Sequence, residues 1–194
     1  MLIENIIQES IDIRNKILND KDFINLINEV SSAIVDSYKK GGKVLLCGNG
    51  GSASDAQHLA AELSGRFAFD RPPLAAEALH VNSSYMTAVA NDYSFDVVYA
   101  RLLSAIGNKG DVLIGISTSG NSVNIINALE VGNKKGLITI GFTSEAGDKM
   151  EEYCKYTFKV PSTNTARVQE VHIMIGHIIC QIVEKTIFHD WSSK

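Results

Sequence analysis

Asn49-Gly-Gly-Ser-Ala-Ser-Asp-Ala-Gln-His58-Leu-Ala-Ala-Glu62 runs a glycine-rich turn straight into a helix that carries a histidine and a carboxylate four residues apart. A turn of this kind presents backbone N–H groups to an anion, and helix positions i and i+4 share one face, a turn apart. His58 and Glu62 are thus spaced to share a metal ion or a substrate atom, or else simply to hydrogen-bond each other at the surface. A second loop, Ser117-Thr-Ser-Gly-Asn-Ser122, sets four hydroxyls and a glycine in six residues. With the unpaired N–H groups of the helix that follows, these hydroxyls can surround a phosphate without side-chain charge. Read as local structure alone, Ser119 or Ser122 is a helix cap.

Neither loop matches the GxxxxGK[ST] or GxGxxG nucleotide patterns. Two anion-ready loops suggest instead a small phosphorylated ligand lying across one edge of a sheet.

The elements that must position these loops are legible from hydrophobic patterning. Val44–Cys47, Val112–Ile116, Leu137–Phe142 and Lys155–Val160 read as short buried strands. Both chemical loops fall where a strand ends and a helix begins. Isoleucines at helical spacing from Ile3 to Ile13, and apolar residues from Phe23 to Val35, predict two amphipathic helices ahead of the first strand, punctuated by Asn19-Asp20. Ser83 to Ile106 reads as helix with an interruption near Asn91–Ser94, a further helix ends near Lys135, and Thr165 to Phe188 forms a long apolar one. Strands alternating with helices imply right-handed crossovers. The fold class is therefore α/β, a three-layer α/β/α sandwich around a mostly parallel sheet. One domain is expected over residues 1–194, with 1–40 a helical pair lying on that domain or on a neighbouring subunit.

Composition narrows the partners. A net charge of −4 gives no basic field to steer nucleic acid. Cys47, Cys154 and Cys180 are odd in number and lack metal-ligand spacing, so free thiols in a reducing compartment, the cytoplasm, are expected. No apolar run reaches the roughly 18 residues needed to span a bilayer, and Met1-Leu-Ile-Glu-Asn lacks the start of a secretory signal. A soluble protein with no membrane partner is the expectation.

Cys47-Gly-Asn-Gly-Gly-Ser52 and Gly115-Ile-Ser-Thr-Ser-Gly-Asn-Ser122 resemble the two signature loops of the sugar isomerase (SIS) domain, a likeness that extends over essentially the whole chain. His58-x-x-x-Glu62, Asn91-Asp92 and Arg167-Val-Gln-Glu-Val-His172 leading to His177 are similar to one branch, the sedoheptulose 7-phosphate (phosphoheptose) isomerases. That resemblance implies an aldose–ketose isomerase making D-glycero-D-manno-heptose 7-phosphate through an enediol, the first step toward bacterial surface heptose in lipopolysaccharide or capsule. It implies a homotetramer with interfacial sites and one Zn²⁺ per subunit, ligated by His58, Glu62, Gln169 and His177. Glu62 and His177 become the acid–base pair. Substrate contacts fall to Asn49, Gly50, Gly51, Glu62, Asn91, Asp92, Ser117, Thr118, Ser119, Ser122 and Gln169, with Ser52 either a phosphate contact or a helix cap.

The residues themselves leave alternatives open. Gln169 and His177 are eight positions apart on one helix, roughly 12 Å of rise, so they reach one ion from nearly opposite sides or belong to different subunits. His177 in Ile175-Gly-His-Ile-Ile is otherwise a core histidine, the reading given to His172 and His80. Asp92 either receives sugar hydroxyls or caps a helix before Phe95. Arg66 and Arg71 are either phosphate charges or ordinary exposed arginines. Two competing functions stand: a non-catalytic SIS module binding a sugar phosphate or a protein, and an SIS enzyme for amino-sugar or pentose phosphates. A binding module has no need of Glu62 together with His177.

Overall fold

Asp20 ends one helix and starts the next. Its carboxylate accepts from the Asp22 and Phe23 N–H groups, capping α2 (Lys21–Lys39) where α1 (Leu2–Asn19) stops. Along α2 the buried Phe23, Ile27, Val30 and Ile34 repeat at helical spacing and face the core. The structure, a computed structural model, describes residues 1–189; the end of the expected domain, to residue 194, lies outside the described residues.

The chain continues as β1 (Val44–Gly48), α3 (Gly51–Ser64), β2 (Ala76–Ala78), α4 (Ser83–Asp92) and, after a 3₁₀ turn at Phe95–Val97, α5 (Val98–Ile106). Then come β3 (Val112–Ile116), α6 (Val123–Lys135), β4 (Ile138–Ser144), α7 (Asp148–Glu151), β5 (Tyr156–Val160) and α8 (Thr165–Ile187). The five strands are all parallel, in the order β2-β1-β3-β4-β5. Side chains alternate across them. Val44 and Leu46 join the core under α1, α2, α3 and α8, whereas Leu45 and Cys47 join the one under α4, α5 and α6. This is the expected three-layer sandwich.

Strand order reverses at β1, whose neighbours are β2 on one side and β3 on the other. Loops leaving the carboxyl ends of β1 and β3 therefore diverge to opposite faces and open a crevice, the usual ligand position in such sheets. The Asn49–Gly51 turn follows β1 and the Ser117–Ser122 loop follows β3. Both chemical loops thus flank the switch point.

Two local expectations needed revision. Ala76–Ala78 is an additional edge strand, too short for an alternating pattern to reveal it. Asp148–Glu151 forms an unanticipated single turn of helix. The interruption expected near Asn91–Ser94 is present: α4 ends at Asp92, and Ser94 holds the N-cap position of the next turn without a side-chain capping bond.

Candidate active site

Gly50, the N-cap of α3, has φ 56°, a backbone setting that favours glycine and turns the chain from strand into helix within two residues. Gly51 lies under the Gln169 amide; a Cβ there would stand 2.4 Å from its Nε2. Two turns along, Gly176 of α8 faces Leu59 of α3, and a Cβ at 176 would stand 2.5 Å from both Leu59 methyl carbons. These glycines let α3 and α8 approach closely, and that approach assembles the site.

On the facing helix surfaces, His58 Nε2 lies 2.9 Å from His177 Nε2 and 3.2 Å from a Glu62 carboxylate oxygen. The imidazoles meet edge to face at 5.1 Å between centroids, and the Phe67 ring lies tilted against His177 at 5.7 Å. One donor atom from each of His58, Glu62 and His177 falls within 4.8 Å of the others. Donors sharing one tetrahedral ion at about 2.0–2.2 Å stand about 3.5 Å apart, so this His₂Glu group fits a divalent metal such as Zn²⁺. A single chain therefore supplies His177 to the His58–Glu62 pair, and no second subunit is needed for that contact. Gln169 sits farther up the same helix pair, its amide against Gly51.

Asp55 was missed in the sequence, although it lies on the same face of α3, four residues after Gly51 and three before His58. Burial raises its carboxyl above the usual carboxylate range, with the Gln169 amide, His58 and His177 pulling the other way. Its Oδ2 has no hydrogen-bond partner among the described residues.

The loops that follow β1 and β3 are tied together. Asn49 and Asn124, in the first turn of α6, exchange reciprocal side-chain hydrogen bonds of 2.9 Å each. The Tyr99 hydroxyl donates to the Gly48 carbonyl at 2.5 Å, and to the Asn49 side-chain oxygen at 3.4 Å. The Asn49 amide is largely committed to these bonds. Asn124 and Tyr99 carried no motif that sequence reasoning could use.

In the second loop the buried Ser117 hydroxyl donates to Ser122 at 3.0 Å, and Ser119 accepts from the Asn121 N–H. Ser122 is the N-cap of α6 by position, yet its side chain makes no capping bond. Its hydroxyl oxygen accepts instead from Ser117. Ser52, in the first turn of α3, is buried.

Asp92 accepts from the Asn91 side chain and is the last residue of α4, so it caps nothing before Phe95. His172 is buried with Nε2 3.1 Å from the Thr143 carbonyl. Arg71 requires correction: it is neither exposed nor aimed at the crevice, but inaccessible and paired with Glu184. A run of Gly, Arg and Pro gave no sign of that burial. Arg66 is exposed.

Residues 10–144 match the SIS domain family. The chain is 50% identical over 188 residues to the phosphoheptose isomerase of Aneurinibacillus thermoaerophilus, covering 97% of this chain and 95% of that protein. It is 52% identical over 180 residues to phosphoheptose isomerase 2 of Campylobacter jejuni, covering 93% and 90% respectively. Among solved structures, phosphoheptose isomerase GmhA from Neisseria gonorrhoeae superposes with TM-score 0.87 at 37% identity, covering 95% of this chain and 100% of that one. A phosphoheptose isomerase from Francisella tularensis gives TM-score 0.89 at 35% identity, covering 94% and 96%.

Proposed function

This chain belongs to the SIS-domain phosphoheptose isomerases, and from that membership we propose that its crevice converts sedoheptulose 7-phosphate to D-glycero-D-manno-heptose 7-phosphate in bacterial heptose biosynthesis. The observation that carries this reading is the meeting of His58, Glu62 and His177 beside two anion-ready loops at the switch point of the sheet.

The reaction moves a proton between C1 and C2 while the carbonyl shifts. In our assignment Glu62 takes the C1 proton and returns it at C2, and His177 moves protons at the two sugar oxygens. Glu62 is a quarter exposed along its side chain and reaches toward His58, so its carboxylate opens to the crevice and is not sealed in the core. Phe67 beside His177 keeps one side of the imidazole dry. His58, Glu62 and His177, with Gln169 as the fourth donor, would hold Zn²⁺, which when bound supplies Lewis-acid polarisation of the sugar oxygens.

Ser117, Thr118, Ser119 and Ser122 hold the phosphate at the start of α6, where the positive end of the helix dipole favours it. The backbone of Asn49, Gly50, Gly51 and Ser52 lines the sugar chain, while Asn91 and Asp92 receive its hydroxyls.

The outer face of α1 exposes Leu2, Ile3, Ile7 and Ile11, and exposed apolar groupings are where protein contacts form. We assign it to subunit contacts in a homotetramer whose active sites lie near subunit boundaries. No helix among the described residues is long and apolar enough to cross a membrane. The free thiols Cys47, Cys154 and Cys180 agree with the cytoplasmic location that goes with this reading.

Incubating the protein with sedoheptulose 7-phosphate and following the aldose signal by NMR tests the assignment. Appearance of the aldose supports it; folded, metal-loaded protein that makes none overturns it.

A further inference from the structure

At the carboxyl end of α3, just past Glu62, the chain turns through Gly65–Arg71 and returns its arginine beneath the helix. Both members of the Arg71–Glu184 pair are fully inaccessible. The Arg71 guanidinium donates to the carbonyls of Glu62 (2.9 Å), Leu63 (2.8 Å), Gly65 (2.9 Å) and Pro72 (3.0 Å), and through Nε to Glu184 (3.0 Å). Glu184 in turn accepts the Phe67 and Ala68 N–H groups at 2.8 and 2.7 Å. The Phe188 ring covers the guanidinium at 5.6 Å.

A buried ion pair of this kind is not in itself a strong stabiliser, because desolvating two charges offsets most of their attraction. Its value lies in what it holds. The guanidinium caps the Glu62 and Leu63 carbonyls at the end of α3, sharing the latter with the Leu74 N–H, and sits at the negative end of the helix dipole. One of those carbonyls belongs to Glu62 itself. Glu184 lies on α8 seven residues beyond His177, two turns on and on nearly the same face. The pair therefore joins the backbone of the proposed base to the helix of the proposed acid.

We propose that Arg71 and Glu184 are positioning residues that set the separation and orientation of Glu62 relative to His177. Leu59 against Gly176 holds the helices together on the near side of the pair, and Arg71–Glu184 fixes them on the far side. A lysine at 71 reaches Glu184 but has no planar fork to span four carbonyls. A glutamine at 184 lacks the charge and keeps one acceptor oxygen, so its NH2 turns a donor toward either the Phe67 or the Ala68 N–H. This inference rests on the assignment of proton transfer to Glu62 and His177.

The test compares Arg71→Lys and Glu184→Gln with Asp111→Asn. Asp111 holds a similar pair with Lys43 and the Lys43 and Asn108 N–H groups, but at the opposite, amino-terminal edge of the sheet. Thermal melting and kcat and KM for sedoheptulose 7-phosphate are measured on folded protein. The expected result is a tenfold to hundredfold loss of kcat in R71K and E184Q, with KM within about twofold, because sub-ångström misplacement of a reacting group costs rate before it costs binding. D111N should lose melting temperature and keep kcat. If R71K and E184Q melt lower with kcat unchanged, or if neither folds, the pair is structural only and the proposal is wrong. If the wild-type protein makes no aldose, the reading of Glu62 and His177 fails instead.

Discussion

His58 and His177, 119 residues apart in sequence, meet with their Nε2 atoms 2.9 Å apart across the α3–α8 contact. Two imidazole nitrogens that close, with the Glu62 carboxylate 3.2 Å from His58, are spaced to serve as donors to one metal ion. Purified protein is expected to carry one equivalent of Zn²⁺, and either His58→Ala or His177→Ala should lower bound metal at least tenfold by elemental analysis after dialysis. Full metal content in both variants would place the ion elsewhere.

Closeness of the helices is a property of Gly176. A methyl there meets Leu59 at 2.5 Å inside a filled core. Gly176→Ala is expected to cost about 1–3 kcal/mol in urea unfolding and to reduce kcat, with part of the stability recovered when Leu59 is shortened to Ala in the same chain. Additive losses in the double variant would show that the two residues do not compete for space.

Stability should fall in acid through His172. Burial pushes its imidazole down to about 4, and the hydrogen bond to Thr143 pulls weakly the other way. Because the folded pKa lies below the unfolded value of about 6.5, the contribution of neutral His172 is complete above that pH and is lost as pH falls toward 4. Unfolding free energy should decline in this window by roughly 1.4 kcal/mol per pH unit from this group. His172→Gln should flatten the profile between about pH 6 and pH 5; a mutant profile parallel to that of the wild type would assign the acid sensitivity to other groups.

Linking the two loops is the work of Asn124. Its amide exchanges 2.9 Å hydrogen bonds with Asn49, joining the turn after β1 to the helix after β3. Asn124→Ala removes both bonds from a buried position and should raise KM for the sugar phosphate about tenfold with a smaller effect on kcat, each lost bond being worth about 1 kcal/mol. An unchanged KM in steady-state assays would mean that the loops hold their positions independently.

What the sequence revealed and what it hid divide along physical lines. Buried parallel strands are continuous apolar runs, so Val112–Ile116 was legible to the residue, and β1 was short by Gly48 alone. Ala76–Ala78 pairs only with β1 at the sheet edge and carries no such run. The pairing of His58 with Glu62 on one helix face and the place of the serine loop between a strand and a helix were readable from local spacing before any fold. The arrival of His177 was readable only by resemblance, because its neighbours Ile175, Ile178 and Ile179 describe a core helix. Arg71 was misread for the opposite reason. Its burial depends on Glu184, 113 residues away, and no local pattern announces a long-range partner for a charge.

The central claim is that Glu62 moves the C1/C2 proton. Its most direct measurement is turnover of sedoheptulose 7-phosphate in D₂O by the wild-type protein and Glu62→Gln side by side, with NMR reading aldose and deuterium at the migrating position. The wild type should form aldose with solvent deuterium at C2, while the variant still binds substrate but loses roughly 10²- to 10⁴-fold in rate and shows no exchange. Equal rates and equal deuterium incorporation in the two proteins would contradict the account.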